Sequence, residues 1–324
     1  MQISIGTFNL NNLFSRYNFS AQIDGAPDDT GGLTLEFDDQ KNIKVRTFMG
    51  RLVKGKDEGE TQEIAARIKS MNVDVLAVQE VEHIEILKSF NKGYLSGLYD
   101  HIALIEGNDQ RLIDVGILSK FPIGSITSHQ TAVHPDAPEK RVFGRDLLSI
   151  EILNESRSKK LFTLYNTHLK SHFVPYGQDP VEGALKANTR RQQQADMVAQ
   201  IIGKEQRPNS KYILLGDMND APDSEFLQPM FTIEGRTLFN ALQSPEETRP
   251  PKLETEGPGP QTTAWTYRHN PSGPTPPEFK LIDQIWLSDA LKGSFVSSHI
   301  DRRTKHGGDG GDHDPAWVVL EINE

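Results

Sequence analysis

Short apolar segments recur along the whole chain, from Ile3 to Ile322, and no linker interrupts them. Alternating or continuous apolar runs of this kind predict β-strands. Helical spacing of apolar residues is confined to a few stretches, among them 61–71, 83–90 and 188–203. Many strands with few helices, and without strict strand–helix alternation, predict an α/β fold whose sheets are faced by helices. We therefore expect one domain over residues 1–324, built as a β-sandwich with helical outer layers.

Two stretches lack this regular pattern. Residues from about 15 to 60 are rich in Gly, Asp and Lys, and residues 244–280 are rich in Pro and Gly. Both predict long surface loops, with a short strand at 264–267 inside the second. Thr61 is predicted to cap the helix that follows the first loop, because threonine is favoured at helix N-termini.

The absence of cysteine limits the kind of site that the chain can build. It excludes disulfides, thiolate metal sites and cysteine nucleophiles, which leaves oxygen and imidazole ligands for a metal. Such ligands favour Mg²⁺, with Mn²⁺ as an alternative and Ca²⁺ as a third candidate, over structural zinc.

The start of the chain and its hydropathy bear on location. Because no apolar stretch approaches the roughly 20 residues of a membrane span, we expect no stable membrane insertion. Met1 is followed at once by a strand pattern that does not resemble a signal peptide. This predicts a cytoplasmic protein if Met1 is native, and a secreted one if a signal peptide has been removed. The sequence implies no obligate protein partner.

The formal net charge of −10 argues against a protein that coats nucleic acid, since backbone binding depends on Lys and Arg contacts to phosphate. It does not exclude catalysis on nucleic acid, because a local basic rim can hold a few phosphates on an acidic protein. The candidates for such a rim are Arg141, Arg145, Lys170, Arg190 and Arg191.

Polar side chains at strand ends suit the hydrolysis of a phosphodiester. The reaction needs a cation at the phosphoryl oxygens, a positioned water and help for the departing oxygen. Taken singly, each side chain has an ordinary explanation, such as a turn residue or an exposed carboxylate. Together they supply the different groups that one site requires. These side chains are Asn9, Glu80, Asp217, Asn219, Asp312 and His313.

Three more residues complete this hypothesis. Asp283 is a candidate to orient His313 through an acid–imidazole hydrogen bond. His168 ends a predicted strand and is a candidate hydrogen-bond donor to the phosphoryl or leaving oxygen. Gly216 is predicted to let the chain bend sharply before Asp217, so that the carboxylate points out of the strand.

The motifs that contain these residues resemble, in kind and in order, those of the endonuclease/exonuclease/phosphatase superfamily, to which pancreatic deoxyribonuclease and the apurinic-site endonucleases belong. The resemblance spans essentially the whole chain. It implies a four-layer α/β sandwich, with two packed, mostly antiparallel β-sheets flanked by helices and the site at one edge of the sheets. The motifs are T-F-N-L-N-N at 7–12, V-Q-E-V at 78–81, D-V-G-I-L-S at 114–119, N-T-H-L-K-S at 166–171, G-D-M-N-D at 216–220, L-I-D-Q-I at 281–285 and G-D-H-D-P at 311–315.

The resemblance also implies ligand and substrate contacts. Glu80 would be the principal metal ligand, with Asn9 and Asp312 nearby, and the metal would be a divalent cation such as Mg²⁺. Two positions depart from the common pattern, since Gln284 and Gly311 stand where the family more often has other residues. The candidates for substrate binding are Asn11, Arg111, Arg145 and Lys170.

The catalytic roles are implied in the same way. Asp217 and Asn219 would position water and phosphate, and His313, supported by Asp283, would act as the base or water orienter. The division of labour between Asp217 and His313 stays open at this point. His168 would stabilise the pentacovalent phosphate or its leaving group, and its presence favours the secreted and bacterial nuclease branch.

The leading hypothesis is a divalent-metal-dependent nuclease that acts on DNA, with RNA as a further nucleic-acid substrate. An alternative is a phosphodiesterase for phospholipids of the sphingomyelin type, or a phosphatase for inositol phosphates. Membrane-active relatives expose aromatic residues, but the strand pattern around Trp265 and Tyr267 favours a role in the core or sheet for both. A catalytically inactive binding module is disfavoured, because no ligand or histidine of the set is missing.

Overall fold

Two large β-sheets, three two-stranded sheets and the accompanying helices form the regular structure of the described residues. The computed structural model describes residues 1–14, 56–109, 111–174, 177–248, 260–269, 276–302 and 310–323. The strands of the first half are β1 (Gln2–Leu13), β2 (Val75–Val81), β3 (His101–Leu104), β4 (Asp114–Ser119), β5 (Ile123–Ser128), β6 (Val133–His134), β7 (Ala137–Arg141), β8 (Leu147–Leu153) and β9 (Lys160–His168). Those of the second half are β10 (Tyr212–Asp217), β11 (Thr232–Ile233), β12 (Arg236–Thr237), β13 (Phe239–Asn240), β14 (Glu246–Glu247), β15 (Tyr267–His269), β16 (Glu278–Lys280), β17 (Asp283–Leu287), β18 (Phe295–Ile300) and β19 (Ala316–Glu321).

The two large sheets are mixed but mostly antiparallel. One has seven strands in the order β14-β18-β19-β1-β2-β4-β3, and the other has six in the order β13-β17-β10-β9-β8-β5. The parallel neighbours are β1 with β2, β9 with β10, and β14 with β18. Strands β1 and β2 therefore end at one edge of their sheet, and β9 and β10 end together in theirs.

Five helices accompany the sheets in the described ranges. They are α1 (Glu58–Met71), α2 (Ile84–Gly93), α3 (Pro180–Glu205), α4 (Gln228–Phe231) and α5 (Asp289–Lys292). Helices α1 and α2 pack on the seven-stranded sheet, while α3 and α4 pack on the six-stranded sheet. None of the helices in the described ranges combines the length and apolar composition that a membrane crossing requires.

The alternating strand residues explain this layering. Inward-facing side chains of both sheets form one continuous apolar core, and each large side chain that is fully buried contributes about 1.5–3 kcal/mol. The alternate residues of the same strands face the helices. The inter-sheet core includes Ile5, Val75, Ile117, Leu164, Ile213 and Ile285, all fully buried. The predicted four-layer α/β sandwich is confirmed.

Two predicted helix starts are wrong. Helix α1 begins at Glu58 rather than after Thr61, because the Asp57 side chain caps it by accepting from Gly59 N. Helix α3 begins eight residues before the predicted 188, at Pro180, since the Asp179 carboxylate accepts from the backbone N–H groups of residues 181 and 182. Both errors come from acidic caps in polar surroundings.

The loop predictions are tested only in part. Residues 15–55, 249–259 and 270–275 lie outside the described residues. Within the second predicted loop, the strand expected at 264–267 instead starts at Tyr267, where β15 pairs with β16. The prediction of one domain over 1–324 stays a prediction.

Candidate active site

The two sheets are joined at one edge by a hydrogen bond between predicted site residues. Asn9 lies near the end of β1 and Asp217 ends β10, and both side chains are buried. Asn9 Nδ2 donates to Asp217 Oδ2 over 3.0 Å. The same edge carries His168 at the end of β9 and Asp283 at the start of β17, because Asp217 pairs with both in register. The topology therefore gathers these four residues as predicted.

Gly216 does not produce the predicted bend, because β10 continues through it to Asp217. Its φ is +131°, and a Cβ at this position would lie 2.0 Å from the carbonyl oxygen of Thr167 on β9. Glycine is thus required for close approach of the two strands. The turn comes later, where Asn219 N donates to Asp217 Oδ1 over 2.9 Å and Asn219 adopts a φ of 54°.

Gly216→Ala is expected to lower the free energy of unfolding by at least about 2 kcal/mol, from backbone strain at positive φ. The added Cβ also requires β9 and β10 to separate, which displaces Asp217 and lowers kcat. Chemical denaturation and turnover measure the two effects. Gly293→Ala is the matched control, because Gly293 has a φ of −71° and open space around its Cα. Equal stability of the two variants would contradict this account of Gly216.

Glu80 reaches the site through an irregular stretch of the β1–β2 pair. The register shifts between Asn9 and Leu13, so that three residues of β1 face one of β2. Asn11, Asn12 and Glu80 all have positive φ, between 46° and 61°. Asn12 N donates to Glu80 Oε2 over 3.0 Å, and Glu80 Oε1 lies 4.0 Å from His168 Nε2. This bulge turns the carboxylate towards the sheet edge.

Asp217 lies between two histidines. Its Oδ2 atom is 3.4 Å from His168 Nε2 and 3.9 Å from His313 Nε2. Burial, together with the charge of Asp283, raises the pKa of Asp217 to about 7, although His313, Asn9 and Asn219 act in the opposite direction. A carboxyl group with this pKa can exchange a proton with water near neutral pH.

His313 is held by carboxylates. Its Nδ1 lies 2.8 Å from Asp283 Oδ2, and its Nε2 lies 3.8 Å from Asp312 Oδ1. Burial alone would lower the pKa of His313, but Asp283, Asp312 and Asp217 raise it well above its ordinary value. The imidazole is therefore protonated at neutral pH and acts as a donor.

His168 has the opposite electrostatic environment. Burial, and then the positive charges of Arg145, His313 and Arg111, hold its pKa well below the ordinary value. The ring is therefore neutral at pH 7. Its Nδ1 atom has no hydrogen-bond partner among the described residues. A neutral ring with its proton on Nε2 directs that donor towards Asp217 and Glu80.

Two groups of side chains suit a divalent cation. Asp217, Asp283 and His313 offer ligand atoms within 4.8 Å of one another, but His313 Nδ1 is hydrogen-bonded to Asp283. That bond leaves Nε2 as the His313 atom that could bind a metal, and the raised pKa of His313 opposes such binding because a ligand imidazole must be neutral. Glu80, partly buried, and Asp312, exposed, carry the hard carboxylate oxygens that Mg²⁺ prefers, so their chemistry suits a cation and their role as its ligands stays a prediction.

Asn9 and Asn11 occupy less direct positions than predicted. Both polar atoms of the Asn9 side chain are engaged, since Nδ2 donates to Asp217 and Oδ1 accepts from Asn11 N. Asn9 therefore positions Asp217, and its role as a metal ligand stays a prediction. Asn11 is half-buried in the bulge beside Glu80, where its role in substrate binding also stays a prediction.

Of the predicted cationic residues, Arg111, Arg145 and Lys170 lie on the His168 side of the site. Arg145 is buried, with Nε 3.2 Å from Asp109 Oδ2 and Nη1 donating to the carbonyl oxygen of Leu169. That carbonyl also accepts from Asn219 Nδ2, which places Arg145 next to Asn219. Arg111 is exposed and pairs with the same Asp109.

Lys170 lies in this cationic group as well. Its Nζ donates to the carbonyl oxygens of Ser171 and Phe173. Burial, and then the positive charges of Arg145, Arg111 and Arg191, lower its pKa to about 8. A bound anion would relieve this repulsion, which suits a phosphate-binding role.

Lys56 is a site residue that sequence reasoning missed. Its buried Nζ donates to the carbonyl oxygen of Asn11 over 2.7 Å and lies 3.7 Å from Glu60. Burial lowers the pKa of Lys56, while Glu60, Asp312 and Glu80 oppose this shift. No local pattern could have found it, because Lys56 follows a long stretch without periodicity.

Comparisons with known proteins agree with this geometry. The model of the Endonuclease/Exonuclease/phosphatase family matches residues 6–313. No curated protein matches the chain in sequence.

Solved structures give the same fold. One is an endonuclease/exonuclease/phosphatase from Bacteroides vulgatus, with a TM-score of 0.61, 14% identity and complete coverage of both chains. An AP endonuclease from Archaeoglobus fulgidus has a TM-score of 0.57 and 14% identity, over 99% of this chain and 100% of that one. A mannosyl-6-phosphatase from Bacteroides thetaiotaomicron has a TM-score of 0.52 and 14% identity, with the same coverage. Identities this low establish the fold and leave the substrate open.

Proposed function

Since the chain belongs to the endonuclease/exonuclease/phosphatase family, we propose that it is a divalent-metal-dependent phosphodiesterase that cleaves nucleic acid, with DNA as the preferred substrate. Members of this family hydrolyse phosphoesters. The observation that carries the proposal is the position of Asp217, whose Oδ2 lies within 4 Å of both His168 Nε2 and His313 Nε2. A proton acceptor next to two donors suits attack of water on a phosphate, in which water loses a proton and the phosphoryl oxygens gain charge.

The electrostatics favour a definite division of labour. Asp217, with a pKa of about 7, takes the proton of the attacking water. When substrate is bound, His313, protonated and oriented by Asp283, donates its Nε2–H to a phosphoryl oxygen instead of Asp217, and neutral His168 does the same for a second oxygen, which leaves Asp217 to accept the proton of water. Glu80 and Asp312 would hold the cation, which supplies charge neutralisation at the phosphate when bound.

The cationic side of the site supports nucleic acid over a lipid headgroup. Arg111, Arg145 and Lys170 lie next to one another beside the proposed phosphate position, on a chain of net charge −10. Such local concentration of positive charge suits a substrate with several phosphates. Trp265 is only 4% exposed, so it does not offer the inserting aromatic surface of a membrane-active enzyme.

A substrate panel tests the proposal. Purified protein is incubated with plasmid, linear and single-stranded DNA, RNA, bis(p-nitrophenyl) phosphate, sphingomyelin vesicles and an inositol phosphate, each with Mg²⁺ or Mn²⁺ and with EDTA. We expect cleavage of DNA that EDTA abolishes, with slower turnover of the small diester. Failure to cleave any nucleic acid would refute the substrate assignment. Release of phosphocholine from sphingomyelin faster than cleavage of nucleic acid would identify a lipid as the substrate instead.

The low pKa of Lys170 predicts a pH dependence of substrate binding. The ammonium is present below about pH 8 and lost above it, so KM for DNA is expected to rise as pH increases through 8. Loss of one charge-assisted phosphate contact is equivalent to about a tenfold change, or 1.4 kcal/mol. Lys170→Arg should remove the rise, because guanidinium keeps its charge over this range. If KM for DNA still rises above pH 8 in Lys170→Met, a group other than Lys170 causes the rise.

A further inference from the structure

Thr266 connects the two residues of the Asp283–His313 pair through their backbones. It is fully buried, immediately before β15. Its hydroxyl oxygen accepts from Asp283 N over 3.0 Å and from Ile282 N over 3.3 Å. Its carbonyl oxygen accepts from Asp314 N over 2.7 Å. One residue therefore bonds the chain at Asp283 and the chain directly after His313.

We propose that Thr266 is the positioning residue that sets the separation of Asp283 from His313. These two residues lie on different segments, and their side chains meet at 2.8 Å between His313 Nδ1 and Asp283 Oδ2. A shift of either backbone changes that distance directly. Because Thr266 is bonded to both backbones, it fixes the direction in which the His313 ring presents Nε2 to Asp217.

The segment that carries Thr266 is itself braced. Arg302, fully buried, donates to the carbonyl oxygens of Trp265 and Thr263 and stacks 3.8 Å above the Trp265 ring. Its Nη1 also lies 3.3 Å from Asp314 Oδ2. Asp314 is thus attached to this segment twice, through its backbone to Thr266 and through its side chain to Arg302.

A second arginine holds Asp314 from the other side. Arg67 on α1 lies with Nη2 3.2 Å from Asp314 Oδ1, and with Nε 2.9 Å from Asp301 Oδ2. Both carboxylate oxygens of Asp314 therefore have a cationic partner. Because both arginines hold Asp314 in place, the bonds of Thr266 to Asp314 N and Asp283 N fix the backbone of Asp283 relative to that of Asp314.

Replacement of the hydroxyl tests the proposal, which rests on the proposed function because kcat is one of its measurements. Thr266→Val keeps the shape and removes the acceptor. We expect kcat for DNA to fall about 10- to 100-fold, as for a small misplacement of a reacting group, with KM within about threefold. Thr266→Ser should restore kcat to within about threefold of wild type, since it keeps the acceptor. Thr266→Cys, which has a weak acceptor, and Thr266→Ala, which has none, extend the series. One folded variant that keeps the acceptor and one folded variant that lacks it are enough to decide the outcome.

Ser288→Ala provides a matched structural control. Ser288 follows the other end of β17, is 3% exposed, and its hydroxyl likewise accepts from a backbone N–H, that of Tyr212, over 3.1 Å. It lies about 17 Å along the strand from Asp283. We expect this variant to lose thermal stability with kcat unchanged.

A spectroscopic measurement separates this inference from the proposed function. The Nδ1–H proton of His313, shifted downfield by its bond to Asp283, is expected to move upfield in Thr266→Val and to stay in place in Ser288→Ala. An unchanged resonance and kcat within about twofold in folded Thr266→Val would overturn the role of Thr266. A wild-type protein that cleaves no phosphoester would refute the proposed function alone, and the resonance would still report on the positioning.

Discussion

His313→Gln is expected to lower kcat for DNA about 10²–10⁴-fold, the range associated with a positioned proton-transfer group. The structure gives the reason, because His313 is the donor that three carboxylates hold in its protonated form. Glutamine retains a polar side chain near Asp283, so the buried carboxylate keeps a partner. Glutamine carries no positive charge, and the developing charge on the phosphate loses its stabilisation.

Turnover at saturating substrate and a thermal unfolding curve measure this effect separately from stability. His134→Gln is the control, since His134 is equally buried and lies 3.7 Å from Asp196, outside the site. Its kcat should match that of the wild type. A folded His313→Gln protein with more than about a tenth of wild-type kcat would remove His313 from the proposed mechanism.

The sequence contained enough information to predict the main side chains of the site. His168 and Asp217 each end a strand and Glu80 is the next-to-last residue of β2, and such strand ends are predictable from the apolar runs that precede them. The meeting of these ends followed from resemblance to a family rather than from the pattern itself, because pairing between strands is non-local.

Other features of the site depend on contacts that no local pattern records. The positive φ of Glu80 lies opposite a bulge of two extra residues on the neighbouring strand, which alternation of side chains does not reveal. Thr266 was placed in a predicted strand, but its importance comes from bonds to residues 282, 283 and 314. The raised pKa of Asp217 needs both burial and neighbours from other strands.

In the fold, too, some elements were predictable from the local sequence pattern and others were not. Buried strands such as β10 carry the apolar runs that predict a strand, whereas β5 is largely exposed and the centre of β18 is a polar run of Ser297, Ser298 and His299. The first turns of α3 carry exposed Val181 and Leu185, so apolar spacing began only after 188. Hydrophobic periodicity reports burial, and it fails where an element lies at the surface.

Glu80→Gln is expected to reduce kcat at saturating Mg²⁺ by about 10³-fold, because loss of the proposed metal ligand removes several kcal/mol of charge stabilisation. The substitution keeps the size of the side chain and the acceptor for Asn12 N, so the bulge should persist. Affinity for Mn²⁺, measured by calorimetry without substrate, is expected to fall in parallel. Thermal stabilisation of the protein by Mg²⁺ should also weaken, since at a given concentration a ligand with a higher Kd stabilises the folded state less.

Glu85→Gln is the matched control, because Glu85 is an exposed glutamate on α2 that pairs with Lys88. It should bind Mn²⁺ and turn over DNA as the wild type does. The comparison also decides between the two candidate ligand groups. If Glu80→Gln keeps full metal affinity while Asp283→Asn loses it, the cation binds at Asp217, Asp283 and His313 instead. In that case His313 Nε2 and Asp283 Oδ1 are the atoms that can bind the cation while the bond between His313 Nδ1 and Asp283 Oδ2 persists, and Asp217 can no longer be the proton acceptor.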